Sequence, residues 1–155
     1  MRASEVGEIR VATRRLNSAF TRRQEGDSIL DLASALELLL ARDSKEQIGY
    51  RLALRVGALC RLEPFRGMSA SSMRGLVKKI YDYRSAVAHA ATKVEAKRVI
   101  AVTQSPPEPT VKVARELLSH ILRLVLTNPR YLEPGAIDED LLDGKLNPAK
   151  DSPDF

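Results

Sequence analysis

Residues 27–42, DSILDLASALELLLAR, constrain the fold more than any other stretch. Ile29, Ala33, Leu36 and Leu40 recur at helical steps, and they sit within a surface that is apolar nearly all the way round. Such a helix has to be covered on several sides, so the rest of the chain must supply the covers. Gly26 is expected to end the helix before it, and Asp27 to cap it.

Suitable covers lie on both sides. From Ile9 the residues Ile9, Ala12, Leu16, Ala19 and Phe20 form one stripe, with Arg10, Arg14 and Arg15 on the other face. In DSKEQ, Asp43 with Glu46, or Ser44 with Gln47, offers a capping box for a third helix reaching about Leu62, before Pro64. A fourth helix is expected from near Ser71, after the Gly-, Pro- and Ser-containing EPFRGMSASS. A fifth, from about Thr110 to Leu126, follows PPEP, buries Ala114, Leu118, Ile121 and Val125, and ends at Asn128 and Pro129. VEAKRVIAVT reads as a loop or a single edge strand, and no alternating pattern supports a sheet. Short connections make neighbouring helices antiparallel, so the expected fold is all-α, an up-and-down helical bundle of four to five helices.

At 155 residues and 44% apolar the chain suits one domain. The bundle is assigned to residues 1–128 and an acidic, Pro-containing C-terminal tail to 129–155, read as mobile with one helical turn in IDEDLL. The net charge of +5 conceals a split of −4 on that tail and +9 on the body. A basic body suggests a polyanion partner, for which the tail, with Asp138, Glu139 and Asp140, is placed to compete. There is no apolar run long enough to span a membrane, and MRASEVGEIR lacks the apolar segment of a secretory signal, so no membrane partner and a cytoplasmic location are expected. Cys60 has no second cysteine and reads as a buried thiol. No cofactor or metal is expected, because no glycine-rich phosphate loop and no Cys, His or carboxylate cluster appears.

The end of the fourth helix, IYDYRSAVAHA, is chemically unusual. On a helical wheel Arg84 lies about 40° from Ile80, inside the arc that also holds Leu76, Val77, Tyr83 and Val87. A guanidinium there must meet a carboxylate such as Asp31 or Glu37, backbone carbonyls, or a solvated cleft. His89 is about 140° further round and about 7.5 Å along the axis, so the two side chains diverge in a straight helix. They can share a site if the helix ends near Ala88, or if two copies of the helix meet at a two-fold axis. The plainer alternative is a buried Arg84 salt bridge and a His89 that favours a helix C-terminus.

Read together, YDYRSAVAHA, DSILDLASALELLL and IGYRLALRVGALC resemble the HEPN superfamily, and within it the prokaryotic Apea-like branch, over residues 9 to 126. Arg84, Ser85 and His89 match the arginine, polar residue and histidine of the superfamily motif. Asp27 with Ala35, Leu36 and Glu37, and the run Tyr50 to Arg55, match segments of the branch. Ala90 departs from the pattern, since relatives usually place glycine after the histidine. The resemblance implies a bundle that pairs through its motif helices and, in many members, cleaves RNA without metal.

On that footing His89, as an imidazole able to accept or donate a proton, can take the 2′-hydroxyl proton or protonate the leaving 5′-oxygen. Arg84 can hold the phosphate and stabilise its added charge. Ser85 is a candidate orienter, with capping or packing as its alternative. Arg51, Arg55 and Tyr83 are candidate RNA contacts, although pairing with Glu37 for the arginines, and packing for Tyr81 and Tyr83, are the blander roles. Asp82 is placed to act on His89 of a second copy, and His120 reads as structural. The expected function is a homodimeric, metal-independent endoribonuclease of the toxin or phage-defence kind, with an antitoxin or other protein partner left open. The alternative is a non-catalytic helical module that dimerises and binds RNA or protein.

Overall fold

A computed structural model describes residues 1–103 and 105–147 of the chain. It is all-α: α1 (Ala3–Thr21), α2 (Glu25–Leu40), α3 (Ile48–Leu59), α4 (Ala70–Ala88), α5 (Thr110–Thr127) and α6 (Pro134–Leu142), with short 3₁₀ turns at Phe65–Gly67, Glu95–Lys97 and Pro129–Leu132. As its composition demands, α2 is central. Ile29, Leu32, Leu36, Leu39 and Leu40 are no more than 1% exposed, and α1, α3, α4 and α5 all pack on the helix. Each such side chain contributes roughly 1.5–3 kcal/mol by leaving water.

Several details differ from the sequence reading. The first helix starts at Ala3, where the Arg2 backbone N–H donates to Glu5 Oε2 at 2.6 Å. Gly26 and Asp27 lie inside the first turn of α2, whose cap position is Gln24. Neither DSKEQ capping box forms. Instead Gln47 takes a left-handed conformation (φ 54°) before Ile48, and Asp43 is engaged by Arg55. Phe20, assigned to the apolar stripe of α1, is 62% exposed beneath the guanidinium of Arg115, 4.9 Å from the ring centroid.

The single strand read in VEAKRVIAVT has a partner. β1 (Val99–Ile100) pairs antiparallel with β2 (Glu108–Pro109), and the Thr110 N–H donates to the Arg98 carbonyl at 2.7 Å just beyond the ladder. Glu108 binds Arg66 and Lys112, and these cations hold its carboxyl down to about 2.

The expectation of a mobile tail after Pro129 is corrected through residue 147; residues 148–155 lie outside the described residues. Tyr131, Leu132, Ile137 and Leu146 are buried, and α6 packs on α3. The acidic cluster is consumed internally. Asp138 binds Arg55, Asp140 accepts from Arg130 Nε at 3.0 Å and from the Tyr131 hydroxyl at 3.1 Å, and Glu139 accepts from Arg130 Nη2 at 3.1 Å. Local charge density suggested a solvated tail because the pairing of Asp138 with the distant Arg55, and the burial of the segment's apolar residues, are not written in the local composition.

Candidate functional site

The fourth helix is begun by Ser69, whose hydroxyl accepts the Ser72 N–H at 3.1 Å. One face, Met73, Leu76, Val77, Ile80, Tyr83 and Ala86, is buried, and Arg74, Lys78 and Lys79 lie on the exposed side. The helix ends at Ala88 by a complete left-handed cap. The Ala91 N–H donates to the Ala86 carbonyl at 2.9 Å and the Ala90 N–H to the Val87 carbonyl at 3.2 Å, with Ala90 at φ 48°. Glycine is the residue suited to that conformation. The chain bears the strain of a Cβ at the position where the resembled family usually places glycine.

His89 occupies the C-cap position and is exposed. Its N–H still donates to the Ser85 carbonyl at 3.0 Å, so the residue remains on the helical spiral and the chain turns away only at Ala90. Ending the helix at Ala88 therefore does not swing His89 back toward Arg84, and the divergence expected of a straight helix persists. Among the described residues the His89 ring makes no hydrogen bond, and neither does the Ser85 hydroxyl; Ser85 is half-buried.

Arg84 is half-buried and faces Glu37 of α2, with 3.6 Å between Nε and Oε1. Glu37 is one of the two partners expected of a structural arginine. The contact is loose, since both atoms are shut off from solvent and neither completes a hydrogen bond among the described residues. The guanidinium carbon lies 5.5 Å from the centroid of the Tyr81 ring. Burial, and then the charge of Glu37, push the Tyr81 hydroxyl above its ordinary pKa. Glu37, Arg84 and Tyr81 thus form one cluster on the outer side of α2 and α4. Asp82 is engaged within its own chain by Lys78 at 3.4 Å.

Two of the three proposed RNA contacts are corrected. Arg55 is 1% exposed: its guanidinium donates to both carboxylate oxygens of Asp43, at 2.6 and 2.9 Å, and of Asp138, at 2.9 and 2.7 Å. It also donates to the Leu40 carbonyl at 2.8 Å. No donor is left for a phosphate, and the partner is not Glu37. Tyr83 is likewise 1% exposed, because the arc that holds Ile80 carries it into the core. Arg51 is exposed.

His120 is structural. Its Nε2 meets the Glu63 carbonyl at 2.9 Å and its Nδ1 the Arg123 guanidinium at 3.0 Å, an arrangement satisfied when Nε2 carries the proton. Cys60 is buried, and burial pushes its thiol up to about 11. Among the described residues no three His, Cys, Asp or Glu side chains group as a metal site would require, and no helix is long and apolar enough to cross a membrane.

Sequence reasoning did not single out Tyr50 or Arg74 as contact residues. Tyr50 is 56% exposed, and the Arg74 guanidinium carbon lies 5.7 Å from its ring centroid. The available signal was on α3, where the buried stripe Leu52, Val56 and Leu59 leaves Tyr50 on the outer side. The pairing of Tyr50 with Arg74 depends on how α3 packs on α4. No protein-family model, curated protein or solved structure matches this chain.

Proposed function

We infer that the chain is a metal-independent endoribonuclease that works as a homodimer, with Arg84 and His89 of two α4 helices lining one cleft. The observation that carries this reading is the condition of the two residues. Among the described residues the Arg84 guanidinium meets one carboxylate, at 3.6 Å and short of a hydrogen bond, while the exposed His89 ring at the helix end makes no hydrogen bond. A cation so loosely satisfied gains by meeting phosphate oxygens, which accept its parallel N–H groups. His89 supplies a proton acceptor for the 2′-hydroxyl or a donor for the leaving 5′-oxygen, and Arg84 stabilises the charge that builds on the phosphorus oxygens. Because the two side chains diverge along one helix, a second copy is needed to complete the pair. Ser85, half-buried between them in sequence, is the candidate orienter.

The toxin or defence role and an antitoxin partner rest on the family resemblance. A second reading, a non-catalytic module that dimerises and binds RNA or protein, is favoured by one observation, the pairing of Arg84 with Glu37.

The deciding experiment is an RNA cleavage assay in EDTA with His89→Ala as control, joined to sedimentation analysis. Cleavage that survives chelation, leaves 2′,3′-cyclic phosphate ends and is lost in His89→Ala supports the nuclease. Rescue of a chelated enzyme by a divalent ion overturns the metal-independent mechanism. A monomer of about 17 kDa at all concentrations overturns the shared cleft. A dimer that binds RNA without cleaving it is the module.

A further inference from the structure

A groove of about 450 Å³ runs along the outer seam between α3 and α4, away from the core. Its lining is chemically mixed in a specific way: the aromatic rings of Tyr50 and Tyr81, the cations Arg74 and Lys78, one carboxylate, Asp82, and the backbone at Gly49 and Gly75. We propose that this groove binds a nucleotide, its base stacked against the tyrosine rings and its phosphate held by Arg74 and Lys78. The volume is within the range of small-ligand sites.

Three features make the groove fit that occupant. First, the rings are set in place. Gly49 lets the α3 backbone lie against Tyr81, since a Cβ there would come within 3.0 Å of the ring. Tyr50 is 56% exposed, which leaves a large aromatic surface for stacking. Second, the positive charge is available. Arg74 makes no ion pair among the described residues, its stem lies against α3 at Gly57, where a Cβ would sit 3.3 Å from Arg74 Cγ, and it already stacks near the Tyr50 ring. Lys78 is held only by the exposed 3.4 Å contact to Asp82. Third, the floor is open, because a Cβ at Gly75 would meet nothing within 4 Å.

A depression of similar size, about 510 Å³, lies by the start of α2 and offers a contrast. There Arg98 is already neutralised by Glu25 and Glu95, each at 2.8 Å, and although Arg23 has no ion pair among the described residues, the tyrosine in the lining, Tyr83, is 1% exposed and offers no face for stacking. The α3–α4 groove combines aromatic faces with an arginine that has no ion pair among the described residues and a lysine loosely paired to Asp82, a composition suited to binding single-stranded nucleic acid with little sequence preference.

The groove adjoins the candidate site through Tyr81, whose ring also receives Arg84 at 5.5 Å. A nucleotide seated there lies next to the cluster that would hold the scissile phosphate. The inference deepens the ribonuclease reading by giving it a substrate subsite, and it rests on that reading only for RNA as the source of the nucleotide.

The test uses the full chain and a short dye-labelled 2′-O-methyl oligoribonucleotide, which cannot be cleaved through its 2′ position, with affinity read by fluorescence anisotropy. Tyr50→Leu, Arg74→Ala and Gly75→Leu should each weaken binding about tenfold or more. Tyr50→Phe should bind as the parent does. Gly75→Leu fills the groove and favours helix over glycine, so its thermal unfolding midpoint should be unchanged or higher. Titration with adenosine and uridine monophosphates separates the sources. Displacement of the label at concentrations near the strand's own Kd assigns a free nucleotide, whereas a strand at least tenfold tighter assigns RNA.

Folded groove variants that bind the strand as tightly as the parent overturn the proposal, as does failure of both strand and mononucleotide to bind. A shift in oligomeric state for Gly75→Leu with unchanged binding assigns the groove to a second copy instead. Because the probe is not cleaved, an inactive enzyme that still binds through the groove refutes the nuclease while leaving this inference standing. An active nuclease whose groove variants bind normally does the reverse.

Discussion

Arg55 on α3 and Arg84 on α4 are both arginines set among apolar residues of a helix, and the fold treats them in opposite ways. Arg55 is 1% exposed and saturated, with two aspartates and a carbonyl taking its donors at 2.6–2.9 Å. Arg84 keeps 27% of its side chain exposed and has one carboxylate at 3.6 Å. A buried cation that is fully paired acts as a clamp: here it ties the α2–α3 connection to α6. A cation left under-satisfied beside solvent retains charge for something outside the chain. In this protein the residue type says little, and the count of satisfied donors separates architecture from candidate chemistry.

The broadest way to break this contrast is to remove what the clamp holds. Ending the chain after Pro129 deletes buried Tyr131, Leu132, Ile137 and Leu146 and the Asp138 partner of Arg55. At about 1.5–3 kcal/mol for each apolar side chain, the loss is roughly 6 kcal/mol or more, comparable with the whole stability of a small domain. The truncated protein should lose its cooperative thermal transition by circular dichroism. An unchanged midpoint would restore the view of this segment as a solvated tail.

Arg55→Ala keeps the segment and removes the clamp alone, so a loss of about 3 kcal/mol is expected in urea unfolding. The pH dependence of that loss has a definite sign. Hydrogen bonds from Arg55 hold the Asp43 carboxyl below the usual carboxylate range. Its contribution is therefore complete above about pH 4, near the unfolded value, and fades as pH falls through the lower folded value. The gap between parent and Arg55→Ala should narrow below about pH 4. A gap that stays constant down to the acid transition would mean that Asp43 is not the partner.

Ala90→Gly addresses the end of α4. Relieving a left-handed alanine should raise stability by about 1 kcal/mol, visible as a higher urea midpoint at unchanged slope. A destabilised variant would show that the left-handed cap at Ala90 does not persist in solution.

The smallest effect on stability is expected for Arg84→Ala, about 1 kcal/mol or less, because a partly exposed pair at 3.6 Å contributes little. On the proposed nuclease reading, RNA cleavage by Arg84→Ala should by contrast fall roughly a hundredfold or more. If Arg84→Ala unfolds as Arg55→Ala does and alters no RNA-dependent property, the contrast between the two arginines collapses and Arg84 is structural.

What could be read from the residues followed from local backbone geometry. A period of three to four apolar positions placed five helices, put α2 at the centre, and set Arg84 on the inward arc of a helix ending beside His89. These features depend on residues within a few turns of one another. The sixth helix reads in the sequence only as one turn of a mobile tail, since its nine residues are too short for the apolar period to repeat and the prolines and carboxylates around it read as a solvated segment.

Only the tertiary structure decided who satisfies whom. Arg55 draws its carboxylates from positions 12 and 83 residues away, β1 finds β2 across a loop, and Tyr50 meets Arg74 only because α3 and α4 pack side by side. Periodicity defines which face of a helix is apolar, but it carries no information on which distant charge will lie over that face. Burial and pairing are settled when the helices close on one another, where an unpaired buried charge costs several kcal/mol and the packing that pairs it is selected. That closure buried Arg55 and Tyr83, and it left Arg84 half-buried against Glu37, with His89 and the tyrosine-lined groove facing outward.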